Sequence, residues 1–141
     1  MLVIGYGNDL RSDDGAGRAV AEAISERDLP RVDVRTLSQL TPELSLEIAE
    51  HAMVVFVDAD VEATEMRTRP VVPASTANGV MTHHGDPATL LGLTATVGPV
   101  PDEAIAISIP AENLDMGSVF SPRTAAAVGH AVDLIVELAR R

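Results

Sequence analysis

Gly5-Tyr6-Gly7-Asn8-Asp9-Leu10-Arg11-Ser12-Asp13-Asp14-Gly15-Ala16-Gly17 follows an apolar run, Leu2 to Ile4, and leads into a helical pattern beginning near Ala16. A strand end, a glycine turn and an acidic helix start in so short a stretch mark a strand-to-helix junction where a site can be built. Two common uses of such a loop are excluded. A dinucleotide fingerprint needs a third glycine where Leu10 stands. A calcium loop counted from Asp9 needs glycine where Asp14 stands and glutamate where Val20 stands.

Working outward, strand-like runs and helical patterns alternate. Leu2–Gly5 reads as strand and Asp14–Glu26 as helix, with Ala16, Val20, Ala23 and Ile24 on one face. Val32–Leu37 reads as strand. Thr41 resembles an N-cap with Pro42 at the first helical position, so Pro42–His51 is expected to be helix. Met53–Val57 is continuously apolar, as a strand buried on both faces requires. Residues 61–69 read as polar loop, with Glu62 and Glu65 solvated, and Val71-Val72 as a short strand. A loop through Asn78-Gly79 to His84 precedes a helix from Asp86 to about Thr96. Ala104–Ile109 reads as strand. Ser121-Pro122 is expected to cap a final helix with a stripe of Val128, Val132, Ile135 and Ala139. The pattern predicts one domain over residues 1–141, a three-layer α/β/α sandwich around a mostly parallel sheet of about five strands.

Composition narrows the chemistry. The 141 residues are 46% hydrophobic, enough for a real core, and no apolar run is long enough for a membrane span. No basic region precedes the first apolar run, so a signal peptide is not expected, and the cytoplasm is the expected location. With no cysteine, thiolate metal sites and a cysteine nucleophile are excluded. All ten cations are arginines, which removes Schiff-base chemistry and a Walker lysine. A net charge of -11 argues against nucleic acid as a partner.

Ligands of such sheets gather beyond the carboxyl ends of the strands. Three polar segments fall there: the Asn8–Asp14 loop, Asp58-Ala59-Asp60 after the most buried strand, and the His83-His84 loop. Carboxylates with imidazole can coordinate zinc or nickel, or position and deprotonate water. Each also has a structural explanation. Asp13 or Asp14 can simply cap the first helix, Asp58 can begin a turn, and a histidine doublet is often solvated. Convergence of three segments on one sheet edge favours a site. Asp58 is its best single candidate, because an acid ending so apolar a run risks burial. The residues alone lead to a hydrolase or a metal-binding α/β domain.

Gly5-Tyr6-Gly7-Asn8 with Asp13-Asp14-Gly15-Ala16-Gly17 resembles the first signature of the hydrogenase maturation endopeptidases. Gln39-Leu40-Thr41-Pro42-Glu43-Leu44, Val57-Asp58-Ala59 and Thr82-His83-His84 with Pro87 and Leu90-Leu91 are similar to later motifs of that family, in the same order. The resemblance implies an endopeptidase that clips the C-terminal extension from the large-subunit precursor of a [NiFe] hydrogenase once nickel is inserted. Nickel would then be carried by the substrate, with no tightly bound cofactor. It further implies metal contacts from Asp14, Asp58 and one of His83 or His84, with Asp14 and Asp58 also catalytic. Asn8 or the metal would polarise the carbonyl, and Gly7, Asn8, Asp13 and Gly15 would contact substrate. Gly5, Gly7, Gly15 and Gly17 are expected to let backbone approach the substrate. Asp60 is a competing ligand or base, and Gly92 to Asp102 a region where substrate preference could differ. Two other readings stand beside this one: a non-enzymatic assembly factor for the nickel-loaded subunit, and a related peptidase acting on another protein, as in spore germination.

Overall fold

The computed structural model describes residues 1–75 and 86–141. Among these residues five strands form one sheet: β1 (Leu2–Tyr6), β2 (Asp33–Leu37), β3 (Met53–Asp60), β4 (Arg67–Pro70) and β5 (Glu103–Pro110). Their order across the sheet is β2-β1-β3-β5-β4, parallel except for β4, which runs antiparallel on the edge. Among the described residues four helices cover it: α1 (Ala16–Glu26), α2 (Leu44–Ile48), α3 (Pro87–Val97) and α4 (Pro122–Ala139).

Period-two alternation in β1 and β3 decides which helix meets which face. Val3, Val55 and Val57 point to the side packed by Val20 and Ile24 of α1 and by Ala131 and Ile135 of α4. Leu2, Ile4, Val54 and Phe56 point to the other side, packed by Leu44 and Ile48 of α2 and by Leu90 and Leu91 of α3. Strands apolar on both faces must be covered twice, and the three-layer sandwich follows. It agrees with the arrangement expected from the sequence.

Several boundaries differ. Ser12–Gly15 is a separate 3-10 turn ahead of α1. The second helix is two residues shorter at its start and three at its end than expected; Glu43, not Thr41, stands at its N-cap and makes no side-chain cap bond. β3 extends through Asp60, so Asp58 lies within a strand and does not begin a turn. The polar run expected as loop ends in a strand, because Arg67–Pro70 pairs with β5 from Arg67 opposite Ser108 to Pro70 opposite Ile105. All four of its residues are exposed, so no hydrophobic alternation announces it. Val71 is buried beyond the strand and Val72 is exposed. The buried face of α4 is Ala127, Ala131, Val132, Ile135 and Val136, rotated from the expected stripe. Among the described residues no helix is long and apolar enough to cross a membrane.

Glycine lets the first loop and α1 press onto the strands. A methyl group on Gly17 would collide with the Val57 carbonyl and lie 2.7 Å from that of Tyr6, both main-chain atoms that cannot yield. Gly5 and Gly15 are closed in the same way, by Gly17 and Ala21 and by Asp9. These glycines were expected to admit substrate; they instead admit the protein's own backbone. Gly17→Ala is expected to cost about 2–3 kcal/mol in urea unfolding. Gly129→Ala, on an open face of α4, should gain about 0.5–1 kcal/mol.

Candidate functional site

The chain leaves β1 for β2 on one side and later returns to β3 on the other, so strand order reverses between β1 and β3. At such a reversal the connections diverge and leave a crevice beyond the carboxyl ends of the strands. Tyr6 and the following loop enter it from β1, and Asp58 from β3.

Gly7 separates the two acids. Its φ of 138° favours glycine, and an added methyl would collide with the Asp14 carbonyl while lying 3.8 Å from Asp58 Oδ1. The Asn8 main-chain N–H donates to Asp14 Oδ2 at 2.9 Å. The Ala59 N–H donates to Asp58 Oδ1 at 2.9 Å. One oxygen of each carboxylate is thus held by the main chain, and among the described residues the other has no hydrogen-bond partner. Both side chains are half-buried. Burial pushes Asp58 up to about 7, against the pull of the Ala59 amide and with a further push from Asp14 and Asp60. Among the described residues no group of three acids or histidines is placed to hold a metal ion. His83 and His84 lie outside the described residues.

A cavity of about 250 Å³ opens beside Asp58, with Tyr6, Asp60, Arg69 and Ser108 in its wall. Asp60 Oδ1 accepts from the Glu62 N–H, tying it to the turn after β3. Tyr6 holds its phenolic proton well above the usual range, through burial first and then the charges of Asp58 and Asp86. Tyr6, Arg69 and Asp86 are members that sequence reasoning did not single out. Tyr6 is the chain's only tyrosine and sits inside the quoted loop, a signal that was available. Arg69 had none, because its strand was not foreseen.

Asp13 belongs to the scaffold. It is fully buried, and its carboxylate accepts from the main-chain N–H groups of Glu112, Asn113 and Ser121 and from the Ser121 hydroxyl, at 2.7–2.9 Å. Burial alone would raise its pKa, but these four donors hold the carboxyl well below the ordinary carboxylate range. The expectation that Asp13 contacts substrate is therefore corrected, as is its role as a helix cap. Ser121 stands at the N-cap of α4 yet spends its hydroxyl on Asp13. Gly7 and Gly15 are buried and shape the loop from within. Asn8 is exposed, and its Oδ1 accepts from the Leu10 N–H. Gly92 to Asp102 runs from the middle of α3 to the residue before β5, whose first residue pairs with Met53 at the amino end of β3, whereas Asp58 lies toward the carboxyl end.

No protein-family model matches the sequence, and no curated protein matches it. Solved structures do. The hydrogenase maturating endopeptidase HybD from E. coli superposes with a TM-score of 0.77 at 22% identity, over 99% of this chain and 91% of that one. The hydrogenase 2 maturation peptidase of a Thaumarchaeota archaeon gives 0.70 at 27% identity, over 97% and 96%. The [NiFe] hydrogenase maturation protease HycI from Thermococcus kodakarensis gives 0.74 at 22%, over 99% and 92%. The chain has the fold of the hydrogenase maturation endopeptidases. The quoted motifs that fall among the described residues thus lie on the architecture that their resemblance implied.

The two acids should titrate stability in opposite senses. Asp13, with a lowered folded pKa, contributes stability that is present above about pH 4 and lost as pH falls through the folded value. Asp13→Ala, which orphans several buried donors, is expected to cost about 3 kcal/mol in urea at pH 7. Asp58 is raised to about 7, so the native state keeps a proton that the unfolded chain sheds near pH 4, and stability falls as pH rises through 7. Asp58→Asn should therefore stabilise the protein at pH 8 by on the order of 1–3 kcal/mol, and by clearly less at pH 5. An equal gain at both values would show that the Asp58 charge is not the cause.

Proposed function

We propose that this chain is an endopeptidase that removes the C-terminal extension of a nickel-loaded [NiFe] hydrogenase large subunit. The observation that carries this reading is the pair Asp14 and Asp58. They flank Gly7 at the reversal of strand order, each with one oxygen held by a main-chain amide and the other without a hydrogen-bond partner among the described residues, on the fold of the maturation endopeptidases.

Nickel enters as part of the substrate. Two carboxylate oxygens are hard donors and do not complete a nickel site by themselves, so an imidazole is the natural third contact. His83 or His84 supplies it in this reading. In support, the chain re-enters the described structure at Asp86, whose charge is felt by Tyr6 on this same face. Weak, incomplete coordination suits a reader of metal already bound elsewhere, because free ion is not retained.

For cleavage, a water between the two acids would lose a proton to a carboxylate as it attacks the peptide carbonyl, and the same carboxyl would return that proton to the departing amine. The Asn8 side-chain amide, whose Oδ1 is held by the Leu10 N–H, would donate to the carbonyl oxygen as it gains charge. Asp58 suits the acid–base role because desolvation and its acidic neighbours favour its protonated form near neutrality.

The test uses a purified large-subunit precursor from the same genome, incubated with the protein and followed by mass spectrometry of its C-terminus. The wild-type chain should shorten the nickel-loaded precursor and leave the nickel-free precursor intact. Asp14→Asn and Asp58→Asn should each slow processing by about 10²–10⁴-fold. Normal processing by both variants removes these acids from the mechanism. A nickel-loaded precursor that binds the wild-type chain and keeps its full length would identify an assembly factor.

A further inference from the structure

Arg69 stands in the wall of the cavity beside Asp58 and Asp60, yet among the described residues it forms no ion pair. Four other arginines are paired: Arg18 with Asp9, Arg35 with Glu47, Arg123 with Glu112 and Arg141 with Glu103. Strand register explains the placement. Phe56, Ala106 and Arg69 lie in one row across β3, β5 and β4, and Asp58, Ser108 and Arg67 in the next. Residues in register share a face, so both arginines project to the side of the sheet that carries Asp58, two strand spacings away. Asp58 and Asp60 also line this cavity, in a chain of net charge -11. A carboxylate-bearing peptide would be repelled from such a place unless a cation received it.

We propose that Arg69, flanked by Arg67, is a specificity element that receives a carboxylate on the C-terminal extension of the substrate. The proposal rests on the endopeptidase reading. Its physical content is that an unpaired guanidinium offers a planar fork of donors matched to a carboxylate. Charge on an exposed edge strand also deters strand pairing, and that suffices for Arg67 as a solvated residue. It does not account for an arginine that lines the cavity beside the reacting acid. The carboxylate has two sources, an acidic side chain within the extension or the terminal carboxylate of the precursor.

The released extension, made as a peptide with fluorescein at its N-terminus, separates these by fluorescence anisotropy. Three forms are needed: the free acid, the C-terminal amide, and the free acid with internal Asp and Glu changed to Asn and Gln. Arg69→Gln should weaken binding of the free acid about 10-fold. Its effect should vanish for whichever modified peptide lacks the recognised carboxylate. Arg67→Gln should show a smaller, salt-sensitive loss of the same sign. Because Arg69 is exposed, its variant should keep the wild-type circular dichroism spectrum. Equal affinity of wild type and Arg69→Gln for all three peptides overturns the proposal, as does failure of the wild type to bind any of them. Processing of the precursor with no Arg69 effect would sink this inference and leave the enzyme intact. Arg69-dependent binding without processing would do the reverse.

Discussion

The Asp13 carboxylate, buried under four donors from the segment that joins β5 to α4, is the constraint on which the site depends. Its loop is tied to that segment elsewhere as well. Ser12 donates through its main-chain N–H to the Gly117 carbonyl and through its hydroxyl to that of Asp115, and Gly117 donates to Leu10. The Arg11 guanidinium reaches the Leu114 carbonyl. A polar loop at a sheet edge would ordinarily sample many conformations. Here a buried charge, satisfied only in one geometry, selects one of them. The main-chain amide of Asn8 can then hold Asp14 opposite Asp58.

Asp13 and Asp58 show how environment divides the labour between acids of the same kind. Asp13 is wholly inaccessible but saturated with donors, so its charge is stabilised and structural. Asp58 is less buried but has one donor among the described residues, and two neighbouring carboxylates push against its charge. That arrangement costs stability at neutral pH and leaves a side chain ready to exchange a proton or meet a cation. Groups that destabilise the fold and face a cavity are where function concentrates.

Much of this was legible in the chain itself. The continuous run Met53–Val57 announced a strand buried on both faces, and the glycine loop after Leu2–Ile4 announced the junction that carries Asp14. Periodicity reports burial, so elements that bury apolar faces were found. Arg67–Pro70 buries nothing and is a strand only because β5 offers it hydrogen bonds, so no local pattern could reveal it. Ser121 had the look of a helix cap, and the competing demand of Asp13, more than a hundred residues away in sequence, is invisible in a window of neighbours.

By itself, then, the sequence determined the layers, the strand directions of the parallel core and the two acids worth watching, because these follow from hydrophobic spacing and from charge at the ends of apolar runs. Only the tertiary structure decided which acid is scaffold and which faces the cavity, what the glycines press against, and that Arg69 joins Asp58. Those outcomes depend on contacts between segments far apart in the chain, where the partners of a side chain, and not its type, set its role.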